Sequence, residues 1–334
     1  MDSITHGIVG AVIARAGFSK SLGRSGIIAG VIASLLPEAA LVLRLFGEEV
    51  LLKYHRGFGN SLFLIPLIAL GLAFVFNRLS SKKNFLLFFI LCFLSLAVHN
   101  FFDLLTSFGT MLLFPFSDRR FSLDLIFIID PYYSGILIAG LIFSIFIKKY
   151  PERICQLSLI VIALYTLLCA FAHSRALNLG YEYAKANKLE AVEVAALPQP
   201  LSPFRWANYI ETENEIHQGF VDLLKKPSDT VERTVTSLER YRAKFNAPEK
   251  VIYRVWEKFP DSQWVEKALG LEATRFFLWF ARFPVVIEDN VLNGFHVVRF
   301  FDLRFSMIEG RYPFLYEVVF DTEGDVYSQG FQPK

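Results

Sequence analysis

The stretch Asn84–Phe108 reads NFLLFFILCFLSLAVHNFFDLLTSF, and no charged residue interrupts it before Asp103. A helix needs about 20 mostly apolar residues to cross the hydrocarbon core of a bilayer. This stretch therefore spans, and it carries His99 and Asp103 with it. Three neighbours read the same way: Asn60–Leu79, Pro131–Ile147 and Ile154–Ala176. Ser25–Phe46 also has the length but holds Glu38. Ser3–Phe18 is short and holds Arg15. It spans as a short helix, lies in the interface, or acts as a signal sequence. Against the last, no basic run precedes it and no A-x-A-type site follows it.

The whole chain has 334 residues, 54% hydrophobic and 20% charged, with a formal net charge of +2 and a mean hydropathy of +0.41. These values exclude a disordered chain, a nucleic-acid binder resting on bulk charge and a disulfide-stapled secreted domain. The averages hide a division. Residues 1–180 contain 15 Lys+Arg and 9 Asp+Glu, whereas residues 181–334 contain 19 and 23. The expected organisation is a polytopic α-helical membrane domain at 1–178, with about five to six spans, followed by a small soluble α+β domain at 179–334.

Loop charges give an orientation. Lys20 and Arg24, then Arg78, Lys82 and Lys83, then Lys148, Lys149 and Arg153 fall in three loops. The positive-inside rule makes these loops cytoplasmic. The last span then exits outward, so the C-terminal domain is expected outside the cytoplasm. Cys92, Cys155 and Cys169 all fall within spans and read as apolar filler. In the C-terminal part, Phe204–Thr212 and Glu215–Leu223 alternate like a hairpin. Val231–Phe245, Lys250–Phe259 and Leu269–Phe283 have helical periodicity, the last stopped by Pro284. Phe295–Phe305 and Phe314–Thr322 read as strands. The aromatic residues Phe276, Phe277, Trp279 and Phe280 are expected in the core of that domain.

Polar groups inside an apolar span are expensive and need an explanation. His99 and Asp103 are four apart, so they share a helix face. An imidazole and a carboxylate on one face can ligate a divalent ion; equally, they can hydrogen-bond and join two helices. His6, Glu38 and His55 add weight to the first reading, because the charge-derived topology places all five groups near the outer interface. That convergence is not forced, since the charge rule uses none of them. His173, His217 and His296 have no partner pattern around them and read as structural.

The N-terminal part resembles the membrane-bound metal-dependent hydrolases, the YdjM-like inner-membrane proteins. Met1-Asp2-Ser3-Ile4-Thr5-His6 is similar to the opening M-D-x-x-T-H of that family. His99 to Asp103 is similar to its H-x-x-x-D helix. Thr106-Ser107-Phe108-Gly109-Thr110, Pro115-Phe116-Ser117 and Ile129-Asp130-Pro131 follow in the family's order. Two elements depart. Pro37-Glu38-Ala39-Ala40 stands for P-D-x-D, and His55-Arg56-Gly57-Phe58-Gly59-Asn60-Ser61 stands for H-R-G-x-T-H-S. Ala40 and Asn60 thus replace two expected ligands.

The resemblance implies a bacterial inner-membrane, multi-pass protein. It also implies one divalent metal, zinc first and manganese second, held by His6, Glu38, His55, His99 and Asp103. Glu38 or Asp103 serves as general base, and Arg56 steadies an anionic group or binds a lipid headgroup. Asp124 and Asp130 cap helices or orient ligands. The expected partners are membrane lipids and an envelope-linked substrate, a lipid or phosphoester, with no nucleic acid. The oligomeric state is left open. The rival reading is a non-catalytic descendant whose outer domain binds an envelope partner. A transporter with an intramembrane proton path is a third, disfavoured by the lack of paired inverted repeats.

Overall fold

The computed structural model describes residues 1–228, 236–307 and 310–332. The chain folds as two compact units, Met1–Phe171 with Pro200–Pro203, and Ala172–Gln199 with Phe204 onward.

The first unit is helical. α1 (Ser3–Gly17) starts where the Asp2 carboxylate accepts from the Thr5 amide at 3.0 Å. α2 (Ser19–Leu35) bends at Gly23, whose φ of 63° only glycine adopts without strain, and runs into a 3-10 segment, Leu36–Phe46. α3 (Glu48–Tyr54) and α4 (Ile65–Leu79) follow. α5 (Phe85–Leu104) is capped by Asn84. Asp130 caps α6 (Pro131–Phe146) by accepting from the Tyr132 and Tyr133 amides, one of the roles expected of it. α7 (Pro151–Ala186) runs from this unit into the next.

Among the described residues, three helical stretches are long and apolar enough to cross a membrane: Ser19–Phe46, Phe85–Leu104 and Pro151–Ala186. Glu48–Asn60 with Ile65–Leu79 makes a fourth if that pair, bent by 72°, is one span. Two expected spans are shorter than read. Asn60–Leu79 begins as a helix only at Ile65, because Ser61 turns the chain and its hydroxyl accepts from the Phe63 amide. Pro131–Phe146 ends after 16 residues. The exterior of this unit is apolar, with Leu67, Leu79, Phe146 and Leu164 exposed, as a lipid-facing surface requires.

Small residues set the contact between α1 and α2. A Cβ on Gly10 of α1 would clash with the Gly30 carbonyl of α2 and lie 2.8 Å from Ser34 Cβ. The glycine pair thus lets two backbones touch.

The second unit is sheet-rich. One antiparallel sheet has the order β1 (Glu193–Pro198), β2 (Arg205–Glu211), β3 (Glu215–Asp222), β4 (Tyr253–Glu257). The other has the order β5 (Pro284–Leu292), β6 (Phe295–Asp302), β7 (Tyr316–Phe320), β8 (Val326–Phe331). Among the described residues, three short α-helices accompany them: α8 (Ser237–Ala243), α9 (Gln263–Leu269) and α10 (Glu272–Phe280). The hairpin read around Glu213-Asn214 pairs β2 with β3.

The helix read over Lys250–Phe259 is instead strand β4. Its apolar residues recur at helical spacing, but pairing with β3 decides the matter. Tyr253 lies opposite Gly219, where an added Cβ would meet the tyrosine ring at 2.8 Å. The helix read over Leu269–Phe283 is α10 alone, separated from α9 at Gly270-Leu271, and Pro284 opens a strand. Only Ser237–Ala243 of the expected Val231–Phe245 helix is helical; residues 231–235 lie outside the described residues. Phe277 and Phe280 are buried, Phe277 against Tyr316 and Phe300 of the second sheet.

Candidate metal centre

Asp103 sits in the last turn of α5, fully buried, and five groups approach its carboxylate. Oδ1 accepts from the Met1 amino group, lies 2.9 Å from Arg56 Nη2, and accepts from His6 Nε2 at 3.2 Å. Oδ2 accepts from Asn60 Nδ2 at 2.8 Å and lies 3.2 Å from His99 Nε2. The helical spacing of His99 and Asp103 puts both on the face that meets α1 and α2.

α1 delivers His6, whose ring stacks on that of His99 with centroids 3.8 Å apart. The 3-10 segment delivers Glu38, which accepts from the Ser3 hydroxyl at 2.8 Å. One ligand atom from each of His6, Glu38, His99 and Asp103 falls within 4.8 Å of the others. Three of the four are buried and Glu38 is partly exposed.

His55 lies outside that group, with its ring edge-on to Phe108 at 5.8 Å. Arg56 is buried, with Nη1 donating to the Asp103 carbonyl and the Thr106 hydroxyl. The structure thus places Arg56 on the Asp103 carboxylate and backbone rather than at the surface. Ala40 is half-buried in the 3-10 segment. Asn60 also accepts through its carbonyl from Asn100 Nδ2 at 2.6 Å, which fixes the loop that carries it.

The protonation pattern is informative. His99 Nδ1 lies 2.8 Å from the Ser34 carbonyl oxygen, which can only accept, so Nδ1 carries a proton and donates. In the neutral ring, Nε2 then holds a lone pair. It points at a carboxylate oxygen without hydrogen-bond geometry. His6 Nδ1 has no hydrogen-bond partner among the described residues. Two imidazoles and two carboxylates are donor types that a metal cation takes. The Nδ1–H to carbonyl contact is the support that orients a metal-ligating histidine. The residues fit a single divalent ion.

Sequence patterns do not single out Ser34 or Asn100. Each acts through a backbone group or a loop contact that only the fold brings together. The remaining histidines have local partners. His173 lies against Trp206, His217 bonds to the Tyr183 hydroxyl, and His296 pairs with Asp289.

A family model for the YdjM inner membrane protein matches residues 1–176, which include the whole cluster. The chain belongs to the YdjM inner membrane protein family. It is a membrane protein, and every ligand candidate lies in its family segment. Among relatives, the YdjM-family chain is 25% identical over 139 residues to "Uncharacterized protein YfhP" of Bacillus subtilis (strain 168), a match covering 40% of this chain and 42% of that protein. It thus spans less than half the length of that relative. No solved structure matches the chain.

Proposed function

We propose that the chain is a metal-dependent hydrolase of the inner membrane, working on an ester or phosphoester presented at the outer interface. The observation that carries this reading is the cluster itself: His6, Glu38, His99 and Asp103 each bring one ligand atom within 4.8 Å of the others. A divalent ion, when bound, supplies Lewis-acid polarisation of a carbonyl or phosphoryl oxygen and makes a nearby water more acidic. The chain's own groups do the rest. Glu38, the one partly exposed member, takes the proton from water. Arg56 and Asn60 hold Asp103 in one orientation. His6 and His99 keep their rings stacked and fixed.

The surroundings of the open side favour a lipidic substrate. Ser3 and Glu38 are the parts of the cluster that reach the surface, and the residues beside them are Ile4, Leu36, Leu41 and Val42, all exposed and apolar. Such a surface admits an acyl chain more readily than a sugar or a peptide. In this reading the membrane unit has six spans with α1 counted, the N-terminus and the C-terminal unit lie outside the cytoplasm, and that unit contacts envelope-linked substrate or partner.

A second reading has one observation in its favour. Asp103 is already engaged by the Met1 amino group, Arg56 and the Asn60 amide. A carboxylate so occupied suits a polar lock between helices in a non-catalytic protein. Metal analysis of purified protein separates the two. About one zinc or manganese per chain, lost in His99→Ala, supports the hydrolase centre; no metal in either protein supports the lock.

A further inference from the structure

Ser34 touches both histidines of the cluster. Its backbone carbonyl accepts from His99 Nδ1 at 2.8 Å, and its hydroxyl donates to the His6 carbonyl at 2.7 Å. A carbonyl inside a helix normally spends its acceptor on an amide farther along, so a side-chain donor on this one needs a cause. It lies three residues on. At Leu36 the chain changes from α to 3-10 geometry, in which the partner of residue 34 is residue 37. Residue 37 is Pro37, which has no N–H. In that geometry position 37 has no amide to offer the Ser34 carbonyl, which accepts instead from His99 Nδ1–H. Gly10 and Gly30 bring α1 close enough for the Ser34 hydroxyl to reach His6 in the same step.

We propose that Pro37 is a positioning residue for His99: by withholding an amide hydrogen it leaves the Ser34 carbonyl to hold His99 Nδ1–H, and so fixes which ring nitrogen faces Asp103 and Glu38. The proposal deepens the metal-centre reading, but its geometric core stands without a metal. Proline in the 3-10 segment is then a device acting across two helices, not only a local breaker. The hydroxyl of Ser34 has a separate job, tying α1 to α2 at His6.

The test uses the full chain in lipid vesicles with 15N-labelled histidine, the His99 signals being assigned by their loss in His99→Gln. In the wild-type protein without metal, His99 is expected as the Nδ1–H tautomer. Pro37→Ala restores an amide that competes for the Ser34 carbonyl. It is expected to convert His99 to a mixture or to the Nε2–H form. Ser34→Ala keeps the carbonyl and is expected to keep Nδ1–H. Cobalt(II) titration of the same samples should show affinity about 10–100-fold weaker in Pro37→Ala, the usual effect of losing an orienting partner. A folded Pro37→Ala that retains Nδ1–H overturns the proposal. If Pro37→Ala does not fold, Pro37→Ser, which also restores the amide, is read by the same criterion, and an Nε2–H tautomer in the wild type overturns the proposal as well. A tautomer that responds to Pro37→Ala in a protein that binds no cobalt upholds the positioning role and defeats the metal reading instead.

Discussion

The imidazole rings of His6 and His99 stack, with centroids 3.8 Å apart and planes inclined by 28°. They come from the first and the fifth helix, and each has its Nε2 3.2 Å from the Asp103 carboxylate, one on each oxygen. Two stacked rings around one buried carboxylate make a three-point arrangement. Helix packing fixes it from outside. The Gly10–Gly30 contact sets the α1–α2 spacing, and Ser34 bonds to both rings' residues.

Arg56→Met should be strongly destabilising. The side chain lies 2.9 Å from Asp103 Oδ1, and both are buried. Removing one partner of a buried pair costs about 3–5 kcal/mol, of which the Met1 amino group on the same oxygen offsets a part. Thermal unfolding in detergent should show this as a large fall in Tm. Added zinc should recover part of it, because a cation bound only by the folded state stabilises by mass action. An unchanged Tm would contradict the account of Arg56.

Gly10→Ala and Gly30→Ala should each lower stability by about 1–3 kcal/mol, the usual range for overpacking. At Gly30 the added carbon also meets Ala14 Cβ at 3.1 Å. Both variants should lose metal affinity along with stability, since the same contact places His6. Gly71, where an added carbon meets nothing within 4 Å, is the control: Gly71→Ala should leave both properties unchanged.

Much of this centre is legible in the sequence, because an ionisable group in an apolar run is conspicuous. His99 and Asp103 declare a shared helix face, and the charge-derived topology brings His6 and Glu38 to the same depth. Other parts are not legible. His55 stands five residues before Asn60 in a loop whose turn, with Arg56 at a φ of 62°, sends the two side chains to different neighbours. Loop direction of that kind has no periodicity to read. The contribution of Ser34 is a backbone carbonyl, which side-chain identity does not reveal. In the C-terminal unit, β4 presents helical spacing and becomes a strand because β3 offers it a partner, a tertiary effect that overrides a short local pattern.

Asn60→His, alone and with Ala40→Asp, should raise metal content. Asn60 Nδ2 already stands 2.8 Å from Asp103 Oδ2, so an imidazole at 60 has the carboxylate within reach. Elemental analysis of the purified double variant should give more metal per chain than the wild type. A double variant without metal would mean that the pocket no longer accepts a cation.

The C-terminal unit should lose stability in alkali. Burial pushes the Tyr209 hydroxyl above its ordinary value of 10.0, against the opposing hydrogen bond from Gln218. Its phenol is also tied to the Leu303 carbonyl at 2.8 Å. A group whose folded value is raised contributes stability that is intact below its unfolded value and is lost as pH rises past it. Unfolding followed by tyrosine and tryptophan fluorescence should therefore become easier above about pH 10. Tyr209→Phe should be less stable at neutral pH and should show a flatter alkaline decline. An equal decline in both proteins would assign the effect elsewhere.

The most direct test of the central claim is X-ray absorption at the zinc or cobalt edge of metal-loaded, full-length protein in lipid. The account predicts two imidazole nitrogens with carboxylate oxygens at about 2.0–2.2 Å, with one imidazole lost in His99→Ala. A shell of sulfur from Cys92, Cys155 or Cys169, or a solvent-like oxygen shell with no imidazole scattering, would contradict it.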